Sequence, residues 1–236
     1  MNTSMRKIFL KLCYFSLTII LISCDGKPAA KTENAKTPQK ESSVKQEDTQ
    51  AKKTIVFFGD SLTAGFGLDN TNDAFPGLIQ KTIDSLNLSY TVVNSGVSGE
   101  TTAGGSGRID WVLNQKPDIF ILELGANDGL RGVPLSATRE NLQAIIDAVV
   151  TKYPETQIVL AGMQIPPNMG PEYTQEFRSI FPDLAKKNNL ALIPFLLENV
   201  GGVPSLNQAD GIHPTEEGHQ IVAGNVWPIL KPLLDN

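Results

Sequence analysis

From residue 53 onward the chain alternates dense apolar runs with stretches of helical spacing. "KTIVFF" (53–58), "SYTVVNSG" (89–96), "PDIFILELG" (117–125), "TQIVLAGM" (156–163) and "LALIPF" (190–195) read as five strands, several ending in turn-forming residues. Between them, 74–87 has helical spacing, and "GGSGRIDWVLNQ" begins loop-like and becomes helical. Residues 136–153 predict a helix: Leu142, Ile145, Ile146 and Val149 recur every three to four positions, and Ser136 can cap it. "EYTQEFRSIFPDLAKKNN" is helical with a break expected around Pro182, and the tail from Pro214 to Leu234 is largely helical.

Strands alternating with helices, and strands that are near-continuous apolar runs, predict an α/β fold whose parallel sheet is covered on both faces. In such sheets ligands bind beyond the C-terminal ends of the strands. Ser61 follows the first strand, Gly99 the second and Asn127 the third. The tip of the first strand is abrupt. "VFFGDSLTAGFG" breaks from buried positions into Gly-Asp and then Ser61.

The N-terminal quarter has a different pattern. Arg6, Lys7 and Lys11 precede the apolar "LCYFSLTIILIS", which ends at Cys24 and reads as a secretory signal. Leu21 and Ser23 before Cys24 resemble a bacterial lipobox, which implies a lipidated Cys24 as the mature N-terminus. An uncleaved anchor or a plain signal with an incidental cysteine is the alternative. Residues 25–53 are dominated by Lys, Glu, Gln, Thr and Pro and read as a disordered tether. The expected organisation is a signal over 1–24, a tether over 25–53 and a single domain over 54–236. A membrane-anchored location outside the cytoplasm and a monomeric state follow as expectations.

Charge and cysteine usage narrow the chemistry. Residues 54–236 carry 10 Lys and Arg against 20 Asp and Glu, a net charge of −10. Such a domain repels nucleic acid, so that partner is set aside. The only cysteines are Cys13 and Cys24, which leaves the domain no disulfide, thiol nucleophile or cysteine metal site. With two histidines, a dedicated metal site is not expected, and no cofactor is called for.

A serine hydroxyl attacks poorly at neutral pH without a base. The two histidines, His213 and His219, both lie in "DGIHPTEEGH". Asp210 stands three before His213, within reach of its Nδ1 on a tight turn. His219 has Glu216 three before it and Glu217 two before it, so spacing alone does not exclude it as the base. However, "EEGHQIV" reads as helix, which favours a helix-surface or capping role for His219 and makes His213 the preferred base. Donors for a developing oxyanion are the N–H groups of Ser61 and of Gly99 in "NSGVSGETT" and the side-chain amide of Asn127 in "LGANDG". Each alone is weak, since glycine-rich turns and Asn caps are common. Other motifs fail: "GDSLT" lacks the second glycine of G-x-S-x-G, and "SGVSGETTAGGSG" lacks the Gly-Lys-Ser/Thr of a P-loop.

Taken in order, "GDSLTAG", "GVSGET", "GANDG" and "DGIHP" resemble the SGNH hydrolase family, also called GDSL esterases and lipases. "FFGDSLTAG", "GANDGLRG" and "MQIPPNMGPEY" resemble its thioesterase, arylesterase and lysophospholipase branch. The resemblance implies a flavodoxin-like three-layer sandwich with strand order 2-1-3-4-5. It implies a triad of Ser61, Asp210 and His213, and an oxyanion hole of Ser61, Gly99 and Asn127. The implied activity is hydrolysis of acyl esters or thioesters through an acyl-serine. The loops after the third and fourth strands offer Leu130, Val133, Ile165, Pro166 and Met169 to an acyl chain, or merely cover the sheet edge. Arg131 either meets a phosphate head group or is a solvated charge. A carbohydrate O-acetyl esterase, an O-acyltransferase and a non-catalytic binding lipoprotein are the rival readings.

Overall fold

The computed structural model describes residues 52–234. The signal, the lipobox cysteine and all but the end of the tether lie outside the described residues.

Five strands form one parallel sheet: β1 (Lys53–Gly59), β2 (Tyr90–Gly96), β3 (Ile119–Glu123), β4 (Gln157–Ala161) and β5 (Ala191–Ile193). Their order is β2-β1-β3-β4-β5, the one the resemblance implies. β1 lies inside the sheet, with Gly59 in register with Gly96 on one side and Glu123 on the other. The reversal of direction beside β1 is the topological switch point at which such sheets bind ligands. Among the described residues seven α-helices, besides three short 3-10 turns, complete the order: α1 (Ser61–Ala64), α2 (Phe75–Ser85), α3 (Thr102–Val112), α4 (Ala126–Arg131), α5 (Leu135–Lys152), α6 (Pro171–Asn188) and α7 (Glu216–Leu234). α2 packs with α7 on one face, while α3, α5 and α6 pack together on the other.

The apolar runs become the core because both faces of the sheet are covered. Phe57 and Phe58 point to opposite faces and both are fully buried, as is Phe120. Each such side chain contributes about 1.5–3 kcal/mol of transfer free energy. In α5 the predicted face, Leu142, Ile145, Ile146 and Val149, is buried.

Two helix details differ from expectation. α5 starts one residue earlier than predicted, and Ser136 does not cap it. The Pro134 carbonyl accepts the first N–H groups, from Ala137 and Thr138, and Ser136 falls inside the first turn. α6 runs unbroken through Pro182. A central proline costs about 3 kcal/mol, but Phe177, Ile180, Phe181, Leu184 and Ala185 form a buried stripe spanning it. Tertiary burial outweighs the local penalty.

Candidate active site

The turn after β1 is built from Gly59, Asp60 and Ser61. Gly59 has no room for a side chain: a Cβ there would collide with Thr63 Oγ1 and Glu123. Asp60 follows the strand, and its Oδ1 accepts the Leu62 N–H at 3.0 Å, capping α1. Ser61 is then the first residue of α1, largely buried. Leu62 packs inward and Thr63 is buried, so the serine is held from both sides.

The second turn comes from the chain between β5 and α7. Asp210 Oδ1 accepts the N–H groups of Ile212 and His213, both at 3.0 Å, with Gly211 between them in the left-handed region at φ 76°. This small turn leaves Asp210 Oδ2 2.6 Å from His213 Nδ1. His213 Nε2 lies 2.8 Å from Ser61 Oγ. The hydrogen bond with His213, helped by the two backbone N–H groups, pulls the Asp210 carboxyl down to about 2. Asp210 is therefore an anion at any pH near neutral. It favours the tautomer with the proton on Nδ1 and leaves Nε2 free to accept from the serine.

Gly99 and Asn127 are brought to the same place. Gly99 adopts φ 78° in the loop after β2. Asn127, in the first turn of α4, donates from Nδ2 to Asp60 Oδ2 at 3.0 Å. The Asn127 amide carries two protons, so one remains for another acceptor. Next to it, buried Asp128 accepts the Thr102 N–H at 2.8 Å and the Thr102 hydroxyl at 2.5 Å. That pair fastens α4 to the start of α3 and so fixes the loop containing Gly99. Ser61, Gly99, Asn127 and His213 all border one cavity of about 690 Å³, within the range of small-molecule sites.

This serine–histidine–aspartate arrangement sits on a chain whose residues 57–221 match the GDSL-like Lipase/Acylhydrolase family. The chain belongs to that family. It is 41% identical over 185 residues to "Esterase TesA" of Pseudomonas aeruginosa, spanning 78% of this chain and 90% of that protein. It is 34% identical over 187 residues to "Thioesterase 1/protease 1/lysophospholipase L1" of Escherichia coli, spanning 79% and 87% respectively. The crystal structure of TesA shares the fold with a TM-score of 0.73 and 40% identity, covering 77% of this chain and 99% of that one.

The four residues that give the GDSL family its name are thus Gly59, Asp60, Ser61 and Leu62, and each has a separate structural reason here. Asp60 is the one the sequence reading passed over. Burial pushes its carboxyl up to about 6, against the Leu62 N–H and the Asn127 amide, which pull it down. Beneath it lies Glu123, fully buried at the end of β3. Glu123 Oε2 accepts the Thr63 hydroxyl at 2.7 Å and the Asp60 N–H at 3.2 Å. Burial first, and the Asp60 charge second, hold Glu123 well above the carboxylate range. The pair favours one shared charge, borne by Asp60, with the proton on Glu123. A lone acid ending the apolar run "IFILE" was the signal for this residue.

The apolar candidates divide. Leu130, Ile165 and Pro166 border the cavity, while Val133 does not. The Val133 N–H bonds back to the Asp128 carbonyl at 3.0 Å, after left-handed Gly132 has ended α4, and the chain turns away. The Val133 carbonyl accepts instead from the Tyr173 hydroxyl at 2.9 Å. Met169 also lies outside the lining and packs on the core. Arg131 is exposed yet engaged: its guanidinium donates to the Gly99 carbonyl at 2.9 Å and to Asn127 Oδ1 at 3.3 Å.

His219 is not a helix-surface residue. It is 1% exposed, and its Nδ1 accepts the N–H of Phe75 at 3.2 Å, capping the start of α2 from α7. Burial, with the charge of His213 adding to it, pulls its imidazole down to about 4. Among the described residues, no group of three or more His, Cys, Asp or Glu is placed to hold a metal ion.

Proposed function

We propose that the protein hydrolyses carboxylic esters and thioesters of acyl chains through an acyl-serine on Ser61. The observation that carries the reading is the unbroken line Asp210 Oδ2–His213 Nδ1, His213 Nε2–Ser61 Oγ at 2.6 and 2.8 Å, ending at an apolar-walled cavity. Ser61 Oγ attacks the carbonyl carbon while His213 Nε2 takes its proton. The oxyanion forms against the Ser61 and Gly99 N–H groups and the second Asn127 amide proton. His213 then protonates the departing alcohol or thiol. Water, deprotonated by the same nitrogen, attacks the acyl-serine and releases the acid. Each oxyanion donor contributes roughly 2.7–4 kcal/mol to the barrier reduction in a well-formed hole. Leu130, Ile165 and Pro166 give the acyl chain an apolar wall.

The test is a p-nitrophenyl ester series from two to twelve carbons, with Ser61→Ala alongside. Turnover on medium chains that the variant lacks, with an unchanged melting temperature, is the expected result. An active Ser61→Ala protein removes the assignment. Activity confined to the acetyl ester moves the reading to an acetyl esterase, although a cavity of about 690 Å³ is far larger than an acetyl group needs.

The apolar run ending at Cys24 supports a second, separate proposal: lipidation of Cys24 and tethering of a monomeric domain to a membrane on the extracytoplasmic side. Incorporation of a labelled fatty acid into the wild type but not into Cys24→Ser is expected. Equal labelling of both excludes it. Light scattering at the monomer mass checks the oligomeric state.

A further inference from the structure

Four large apolar side chains that stay substantially exposed come from segments around the active site, and two of them flank the catalytic histidine. Phe66 is 48% exposed, and its ring centre lies 4.6 Å from that of His213 at a tilt of 42°. Ile212, the neighbour of His213 in sequence, is 42% exposed. Both border the cavity. Single exposed apolar residues need no explanation. An aromatic ring fixed in the open against a catalytic imidazole does.

Phe66 is held by more than chance packing. Its N–H donates to the Ser61 carbonyl at 3.0 Å. Its carbonyl accepts from Gln208 Nε2 at 2.7 Å, and the same nitrogen reaches the Pro214 carbonyl at 3.0 Å. The Gln208 N–H donates to the His213 carbonyl at 2.7 Å. Gly67, at φ 77°, leaves space for the Gln208 side chain that a Cβ would take. Gln208 therefore pins the chain after the nucleophile to the chain around the histidine, with Phe66 at the joint.

The stereochemistry of acyl transfer says what this lip must face. The tetrahedral carbon bears Ser61 Oγ, the oxyanion, the leaving oxygen and the acyl carbon. The oxyanion turns toward Gly99 and Asn127. The leaving oxygen must take its proton from His213 Nε2, so it lies within about 3 Å of that nitrogen. Whatever is attached to the leaving oxygen then extends past His213. The acyl chain takes the remaining direction, toward Leu130, Ile165 and Pro166.

Resting on the esterase reading, we infer that Phe66 and Ile212 form a leaving-group subsite that selects esters of flat, apolar alcohols, aryl esters in particular, over those of small alkyl alcohols. The ring offers its free face and edge to an aromatic leaving group, in the offset or edge-to-face geometry such pairs prefer. The leaving alcohol departs before deacylation, so the subsite acts on the first half of the reaction alone.

The experiment holds the acyl group constant and varies the alcohol. Phenyl butyrate and ethyl butyrate are compared in the wild type, Phe66→Ala and Ile212→Ala. The ratio of kcat/KM for phenyl over ethyl butyrate is expected to fall about tenfold in Phe66→Ala and by a smaller factor in Ile212→Ala. The intrinsic reactivity of the two esters cancels between variant and wild type. The deacylation rate of the shared butyryl-enzyme, read by rapid quench, keeps its wild-type value. An equal loss on both esters shows that Phe66 merely supports His213 and overturns the subsite. An unchanged ratio does the same. A wild type that turns over neither ester and forms no adduct with a fluorophosphonate removes the esterase reading as well, which the first two outcomes leave standing.

Discussion

The turn that carries Ser61 leaves β1 with its carboxyl groups sealed from water, whereas the turn that carries His213 lies at the surface. Asp60 is 1% exposed and pushed up to about 6 by burial. The Asp210 side chain is 38% exposed and pulled down to about 2 by its hydrogen bonds. Each accepts the N–H two residues on, and each steers a group of the site: Asp60 the Asn127 amide, Asp210 the His213 imidazole. The same side chain thus does similar local work under opposite solvation. In the buried turn, geometry and folding energy are inseparable, because an unpaired group there pays its full desolvation cost. In the open turn, water takes the place of any lost partner, so geometry can be lost while stability stays.

The sharpest test of that contrast is Asp210→Asn. Without the anion, His213 loses both its tautomer preference and the partner for the imidazolium. Turnover is expected to fall by about 10²–10⁴, while the melting temperature stays within about 2 °C. A large drop in melting temperature would show that the open turn is structural after all.

Glu123→Leu is the mirror case. It strands the Asp60 N–H and the Thr63 hydroxyl in the core, a loss of about 2–4 kcal/mol by two unsatisfied groups. Urea unfolding measures it. Glu123→Gln keeps an acceptor and is expected to be milder. Its pH dependence also has a definite sign. A carboxyl whose folded value is raised stabilises most below its unfolded value, near 4.5, and that contribution is lost as pH rises through the folded value. The permanently neutral Gln has no such decline. If wild type and Glu123→Gln follow one stability curve from pH 4.5 to 8, the raised value is not real.

His219 sharpens the comparison from the other side, since it is a buried base six residues from an open one. Its folded value of about 4 lies below the unfolded 6.5. Between those values the unfolded chain binds more protons, so stability falls as pH drops through that window, by on the order of 3 kcal/mol for the full shift. His219→Asn keeps an acceptor for the Phe75 N–H and cannot titrate. The difference between variant and wild type in unfolding free energy is expected to change by about 2–3 kcal/mol from pH 7 to pH 4. A constant difference would mean that His219 is not buried neutral.

The strands and most helices were legible because hydrophobic period writes them, while the strand order came from the family resemblance and not from period. The five apolar runs are the five strands, and Leu142, Ile145, Ile146 and Val149 are the buried face of α5. What misled was local chemistry overridden by packing. Pro182 should have broken α6 and does not, because the buried stripe from Phe177 to Ala185 runs across it. His219 looked exposed because the polar start of α7, Glu216 and Glu217, hides the fact that the next turn docks on α2. At the site, Ser61, Gly99 and Asn127 come together because their motifs sit at strand ends, and Asp210 and His213 reach them from the turn between β5 and α7. Val133 fell outside because no spacing rule foresees the turn at Gly132. Glu123 was missed for a different reason: the lone acid ending an apolar strand was visible, but its role shows only with the Asp60 N–H and the Thr63 hydroxyl in place around it.

Arg131 is the residue on which spacing had least to say, since a charge on an exposed helix end usually belongs to solvent. Here its guanidinium spans the Gly99 carbonyl and Asn127 Oδ1. It therefore grips the two elements whose N–H groups would meet an oxyanion, on their acceptor sides. Asp60 holds the Asn127 amide nitrogen while Arg131 holds its oxygen, so a buried and an open contact fix one side chain between them. Exposed hydrogen bonds of this kind are individually weak, and Arg131→Met should leave the melting temperature unchanged within about 1 °C. The effect belongs on turnover: kcat is expected to drop about tenfold with KM nearly constant, because the donors matter most as charge develops on the oxygen. Both contacts are made by Arg131 Nη2, and Arg131→Lys keeps a charge on a shorter side chain without the planar guanidinium, so partial rescue is expected. A rise in KM with kcat unchanged would instead make Arg131 a ground-state substrate contact, and the shared grip on Asn127 would then be incidental to catalysis.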